Sequence, residues 1–356
     1  MISSKDIKIG ITQGDPNGIG YEVIIKTCAD SRLLELYTPV IYGNKSALNQ
    51  HMKVVNDENF KFQSIVSASQ AKQNATNFIN CGEGDFEVDL GNGTKESGAS
   101  AFAALEKAVA DLKNGEIDVL VTAPINKDNI QSENFNFPGH TEYLAAQNEK
   151  TESLMFLVSD KLKVGVVTGH IPLSEISKQL NLEIIVEKIR LMDKSLKLDF
   201  SIRKPKIAVL GLNPHAGDNG LIGKEDEEII APAIHDARTR GILAYGPYAA
   251  DGFFGSGNYN KYDGVVAMYH DQGLIPFKTL AFGEGTNFTA GLSFVRTSPD
   301  HGTGFDIAGQ NKADESSLRQ AIYTAIDIFK NRTLNQELLS NQLKIKPPQK
   351  MSYKSR

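Results

Sequence analysis

Three histidines occupy one kind of position. VGVVTGH places His170 just beyond an apolar run, IAVLGLNPH places His215 likewise, and VVAMYH does the same for His270. Neutral imidazole is a common ligand of zinc and similar divalent ions. Ligands of open α/β sheets bind beyond the carboxyl ends of strands, so three histidines at such ends could share one metal ion. The other reading is three separate imidazoles, each bonded to nearby backbone. Three of the chain's seven histidines in equivalent places favour the shared site.

A second group could hold an anion. NFPGHTEYLA sets His140 and Thr141 after a Pro-Gly turn; Thr141 would cap a helix beginning at Glu142, or the pair would project at the helix start. The segment from Pro276 to Gly309 is dense in Gly and Thr and carries Lys278, Asn287 and Arg296. A phosphate or carboxylate needs such donors, and arginine offers a planar bidentate fork. The apolar neighbours of Arg296 (LSFVRTS) suggest partial burial, hence an anionic partner. The GDPNGIG stretch, Gly14 to Gly20, lacks both G-x-G-x-x-G spacing and a P-loop ending. It reads as a tight strand-to-helix turn, with Asp15 either capping it or facing a cleft.

Positioning these groups requires a scaffold of some size. At 356 residues the chain exceeds the span at which single cores stop growing, so two domains, or one large α/β unit with a second lobe, are expected. IKIGIT, PVIYG, IDVLVTAPI, LMFLVS, LKVGVVTG, KPKIAVLG and YDGVVAMY read as strands. SGASAFAALEKAVADLKNG, closed by Gly115, NLEIIVEKIRLMDKSLK and KEDEEIIAPAIHDARTRG read as helices between them. That alternation predicts a mainly parallel sheet covered on both faces. Residues 60–97 are polar and Gly-rich and read as hairpins or an insertion. The tail from Gln342, with Pro347–Pro348, is expected to fray.

A net charge of -5 gives no reason to expect nucleic acid or membrane as partner. Cys28 and Cys81 are the only cysteines, neither in a CxxC, which fits a reducing compartment. The first residues lack the apolar core of a signal peptide. A cytoplasmic location is the expectation.

GITQGDPNGIGYEVI, VTAPINK, FPGHTEYLA, VVTGHIPL, LGLNPHAGDNGLIGKEDEEIIAPAI, GPYAADGFF, YDGVVAMYHDQGLIPFK and TSPDHGTGFDIAG occur in order from residue 9 to about 310. Together they closely resemble the 4-hydroxythreonine-4-phosphate dehydrogenase family of pyridoxal phosphate synthesis. The resemblance implies a fold like that of isocitrate and isopropylmalate dehydrogenases, with two α/β domains, a cleft between them and a homodimer. The first domain would comprise residues 1–125 with 305–340 and the second 126–304, leaving 341–356 as a tail. It implies a divalent metal (Zn, Mg or Co) on His170, His215 and His270, with one ligand from the partner subunit. Substrate contacts fall on His140, Thr141, Lys278, Asn287 and Arg296, with Asp251 an extra residue near the metal. Lys278 and Asp251 are the catalytic candidates, Lys278 for proton transfer. The hydride acceptor would be NAD or NADP; no motif marks its site, and Asp300, His301, Asp306 and Asn311 are the candidates. Related families act on threonate or erythronate 4-phosphate, and an inactive metal-binding or ligand-sensing homologue is the remaining alternative.

Overall fold

The computed structural model describes residues 7–82, 84–148, 153–281 and 283–341; the tail from Gln342 lies outside them. Its twelve strands are β1 (Lys8–Thr12), β2 (Thr38–Gly43), β3 (Phe62–Ile65), β4 (Thr76–Asn80), β5 (Val119–Thr122), β6 (Leu154–Val158), β7 (Lys163–Val166), β8 (Lys206–Leu210), β9 (Leu243–Tyr248), β10 (Gly264–Ala267), β11 (Thr286–Ala290) and β12 (Val295–Pro299). They form one sheet in the order β3-β4-β2-β1-β5-β12-β11-β6-β7-β10-β8-β9. The parallel reading holds at both ends of the sheet. Between them, β12–β11, β11–β6 and β6–β7 pair antiparallel. Three reversals leave the two parallel blocks running in opposite directions.

The apolar runs become strands because helices cover both faces. β5 and β10 are buried throughout, and in β1 only Lys8 is not, and parallel strands so covered carry side chains that are apolar on both faces. Ile9, Ile11, Phe156 and Phe288 are at most 0% exposed, each worth ~1.5–3 kcal/mol of burial. The helix Lys95–Lys113 starts at a reciprocal capping box: Thr94 Oγ1 accepts Ser97 N–H at 3.1 Å and Ser97 Oγ accepts Thr94 N–H at 3.2 Å. Gly115, at φ +71, lets the chain turn away from it. The long helix Ser316–Ser340 lies against β12, β5 and β11. One core cluster therefore includes residues from β1, β5, β6, β8, β10, β11 and β12.

Residues 60–97 do not form hairpins. β3 and β4 pair in parallel and extend the edge of the sheet beside β2. Asn77 makes this polar segment work as a strand: its amide donates to the Pro39, Lys72 and Ala75 carbonyls at 3.1, 3.1 and 2.9 Å. No helix of the described residues is long and apolar enough to cross a membrane.

Candidate active site

A cavity of about 320 Å³ lies over the strands where direction reverses. Thr122, Met155, Val166, Asn287, Arg296 and Ser298 bring β5, β6, β7, β11 and β12 to its wall. Pairing explains the assembly. Ser298 faces Asn287, Arg296 sits beside Leu120 of β5, and β11 joins β12 to β6.

Arg296 is 2% exposed, buried further than its apolar neighbours suggest. Its Nε and Nη2 donate to Thr122 Oγ1 at 3.1 and 2.6 Å, and Nη1 to Thr289 Oγ1 at 3.4 Å. These partners are neutral, and no carboxylate of the described residues bonds it. Burial pushes its pKa down to about 10. A cation so held is completed by an anion entering the cavity. Three further wall groups await polar partners on a ligand. His140 Nε2, Asn287 Oδ1 and His301 Nε2 are each shut off from water without a partner among the described residues. Such atoms are rare unless something binds them.

His140 and Thr141 both line the cavity. Thr141 does not cap its helix: the helix runs His140–Ala146, Gly139 holds the cap position, and no side chain bonds there. Burial, with the charges of Arg296 and Lys127, holds His140 well below the usual histidine range. The imidazole is therefore neutral.

Two of the three strand-end histidines meet. The β7–β10 ladder continues past both strands: Val167 N–H donates to Ala267 O at 2.8 Å and Thr168 Oγ1 to Met268 O at 2.8 Å. This sets the His170 and His270 rings 5.2 Å apart, tilted by 45°. His270 Nδ1 lies 2.7 Å from Asp271 Oδ1, which fixes the proton there and leaves Nε2 free as a donor to metal. Burial and the charges of Lys127 and His270 lower the pKa of His170, which keeps it in the ligating form. The donor chemistry thus fits a divalent ion.

His215 does not join them. β8 is the other neighbour of β10, and Gln272 ties the two exits, donating to Gly211 O at 2.6 Å and accepting from Met268 N–H at 2.7 Å. Beyond Gly211, however, His215, Ala216, Gly217, Asp218, Asn219 and Gly220 all have positive φ. The buried Asp226 carboxylate holds this turn, accepting from Leu212 N–H, Asn213 N–H and Asn213 Nδ2 at 2.8, 3.0 and 2.9 Å. His215 is left exposed. Among the described residues of one chain, no three His, Cys, Asp or Glu side chains gather to hold a metal.

The remaining candidates scatter. Lys278 is half exposed and reaches Asp300 O and Oδ1, each at 3.4 Å. It stands eight residues from His270 on the helix His270–Leu280, about 12 Å along the axis. Asp251 lies in a separate depression of about 490 Å³ with Asp271, Phe254 and Ile275. Of the cofactor candidates, His301 faces the cavity, Asp300 holds Lys278, and Asp306 is exposed. Asn311 anchors its loop by donating to Val55 O at 3.3 Å. The 300–311 loop rests on the GDPNGIG turn, where Ile19 N–H donates to Thr303 O at 2.9 Å. Asp15 caps that turn rather than facing a cleft: its carboxylate accepts from Asn17 N–H at 2.9 Å and Asn129 Nδ2 at 2.7 Å. Lys127, Glu142 and Lys188 also line the cavity; Lys127 and Glu142 stand in the VTAPINK and FPGHTEYLA motifs, which could have marked them, whereas nothing in the sequence separated Lys188 from surface charge.

A mainly parallel α/β sheet carrying a cation-lined cleft beside paired histidines defines an enzyme of small anionic substrates. The profile of the family described as pyridoxal phosphate biosynthetic protein PdxA matches residues 35–325, and the chain belongs to that family. It is 51% identical over 339 residues, 95% of this chain and 93% of the relative, to a 4-hydroxythreonine-4-phosphate dehydrogenase of Bacteroides thetaiotaomicron. The crystal structure of a Klebsiella pneumoniae protein of the same name superposes with TM-score 0.79 at 37% identity, covering 91% of this chain and 98% of that one. A protein of Oceanobacillus iheyensis, provisionally named D-threonate 4-phosphate dehydrogenase, is 39% identical over 91% of this chain and 98% of its own.

Proposed function

We propose that the chain oxidises the secondary alcohol of 4-phosphohydroxy-L-threonine, with NAD or NADP as hydride acceptor, in the synthesis of pyridoxal phosphate. The product, 2-amino-3-oxo-4-phosphooxybutanoate, is a β-keto acid and loses carbon dioxide to give 3-amino-2-oxopropyl phosphate. The observation that carries this reading is Arg296, a buried guanidinium with neutral partners in a cavity walled by unsatisfied polar atoms. A phosphorylated acid supplies the missing anion. The names of the relatives supply the substrate.

His170 and His270 would hold a divalent ion, with His215 supplied by a second copy of this chain. Exposed Leu221 and Ile275, with half-buried Phe254, give that second copy an apolar face beside the His215 turn and the His270 helix. When bound, the ion supplies Lewis acidity that eases loss of the alcohol proton, and the nicotinamide supplies the hydride-accepting carbon. Arg296 binds the phosphate or carboxylate, while Asn287 and neutral His140 bond the polar substrate atoms between. His301, on the loop over the GDPNGIG turn, is the cofactor-side contact. Lys278, which pairs with Asp300, would assist the proton transfer. Residues 1–125 with 305–340 would form one side of the cleft and 126–304 the other. The cytoplasm is the proposed location, and the free Cys28 and Cys81 fit a reducing compartment.

The Oceanobacillus relative favours a second substrate, threonate 4-phosphate. The test is NAD and NADP reduction by purified protein with a divalent metal and each phosphate. Faster turnover of hydroxythreonine phosphate is expected; faster turnover of threonate phosphate would overturn the choice.

A further inference from the structure

The GDPNGIG turn runs into the helix Gly20–Ala29, and two charged side chains of that helix reach the end of the loop resting on the turn. Glu22 is 1% exposed. Its Oε1 accepts the Ala313 N–H at 2.7 Å and the Lys26 ammonium at 2.9 Å. Lys26 Nζ donates onward to Ala313 O at 2.7 Å and Asn311 O at 3.3 Å. One ion pair thus takes both polar groups of the Ala313 backbone. A pair that served the helix alone would lie on its surface in water, worth little. This one is turned inward to grip main chain 291 residues on from Glu22. The gripped segment cannot hold itself. It carries Gly302, Gly304 and Gly309, the last two at φ +56 and +77, and Asn311 at φ +55; glycine loses the most freedom on ordering. Its own backbone bonds make two turns, Ile307 N–H to Gly304 O and Gln310 N–H to Ile307 O, each at 3.1 Å. Ile19 N–H holds the loop near its start, at Thr303 O, and Glu22 with Lys26 holds its end. At its head His301 lines the cavity.

We propose that Glu22 and Lys26 are positioning residues for the nicotinamide dinucleotide, stapling the 301–313 loop into the shape the nucleotide binds. This rests on the reading of that loop as the cofactor side of the cleft. Freed from the staple, the loop holds the binding shape for only part of the time, and nucleotide affinity falls by that fraction. Arg296 and Asn287 stand on β12 and β11, fixed by strand pairing, so phosphate affinity does not depend on the staple.

The test titrates the full chain, with divalent metal, against inorganic phosphate and against whichever of NADH and NADPH the wild type binds more tightly. Lys26→Met keeps an unbranched chain and removes the ammonium. Its Kd for the nucleotide should rise about tenfold, the result if the loop keeps its shape a tenth of the time, while its Kd for phosphate stays within about twofold. In turnover the KM for nucleotide should rise by the same factor with kcat nearly unchanged. Lys26→Arg, which keeps the charge, should recover most of the affinity. Hydrogen exchange in Lys26→Met should quicken at the 301–313 amides and not in the core strands. Glu22→Gln perturbs the other half of the pair and should weaken the nucleotide likewise; the milder lysine variants guard against its folding poorly. Unchanged nucleotide affinity in Lys26→Met, or nucleotide and phosphate weakened alike, would overturn the staple and leave the loop as the cofactor side. A wild-type protein that binds phosphate but neither NADH nor NADPH would overturn that reading of the loop and this one with it.

Discussion

Replacing Arg296 by methionine should make the ligand-free protein more stable and blind to phosphate. Methionine keeps an unbranched chain and removes the guanidinium. The fall of the Arg296 pKa from 12.5 to about 10 through burial corresponds to roughly 3 kcal/mol of unfavourable charge burial. The group is charged in folded and unfolded chains alike below about pH 10, so this cost is present in full at neutral pH and is relieved only above that. The lost bonds to Thr122 and Thr289 return about 1–2 kcal/mol of the gain. The net is ~1–2 kcal/mol in favour of the variant, a rise in Tm of a few degrees for a chain of this size. Phosphate reverses the order. At a hundredfold excess over Kd it stabilises the wild type by about 2.7 kcal/mol, and it should leave the methionine variant unmoved. Calorimetry of both proteins with and without inorganic phosphate measures all four quantities. A variant with lowered ligand-free Tm that phosphate still stabilises as it does the wild type would refute the argument.

If His215 comes from a second copy, mixing inactive His170→Ala with inactive His215→Ala should restore about 25% of wild-type activity, because half the dimers would be mixed and each would hold one intact site; no recovery after subunit exchange would refute the shared site and put His215 to work within its own chain. Asp226→Ala should cost about 1–3 kcal/mol by orphaning three half-buried donors, and should release metal, read by urea unfolding and elemental analysis; a fully metallated, equally stable variant would contradict this. Burial holds His51, bonded to Pro16 O, below the usual histidine range. As pH falls below 6.5 the unfolded chain therefore binds protons that the folded chain refuses, and stability falls by up to about 1.4 kcal/mol per pH unit. His51→Asn should flatten that acid limb between pH 7 and 5, and an unaltered slope would exclude the buried neutral imidazole.

The scaffold was largely legible because its signals are local. Val119–Thr122 and Gly264–Ala267 are apolar on both faces, and Lys95–Lys113 announces its end at Gly115. What escaped depends on pairing across the sheet. Residues 62–80 alternate too little to reveal strands, and they are strands because β2 offers an edge and Asn77 satisfies its neighbours' carbonyls. The histidines show the same division. Their place after strands is visible in sequence, but His170 meets His270 because β7 and β10 are neighbours, and a run of left-handed residues takes His215 away. Lys188 was invisible as a cavity residue, since a lone lysine on a helix looks like solvated charge until the cavity beside it is seen.

The unbroken sheet has a consequence for how the molecule comes apart. Hydrogen-bonded strands run from β3 to β9 without a gap, and one apolar cluster threads both directional blocks, fastened by the helix Ser316–Ser340. A chain this long would ordinarily melt piecewise, one lobe surviving the other. Here neither block can lose its strands without stripping an edge from its neighbour, so loss of order should spread across the whole in one transition, and proteases should find either intact protein or fragments with no persistent half between them.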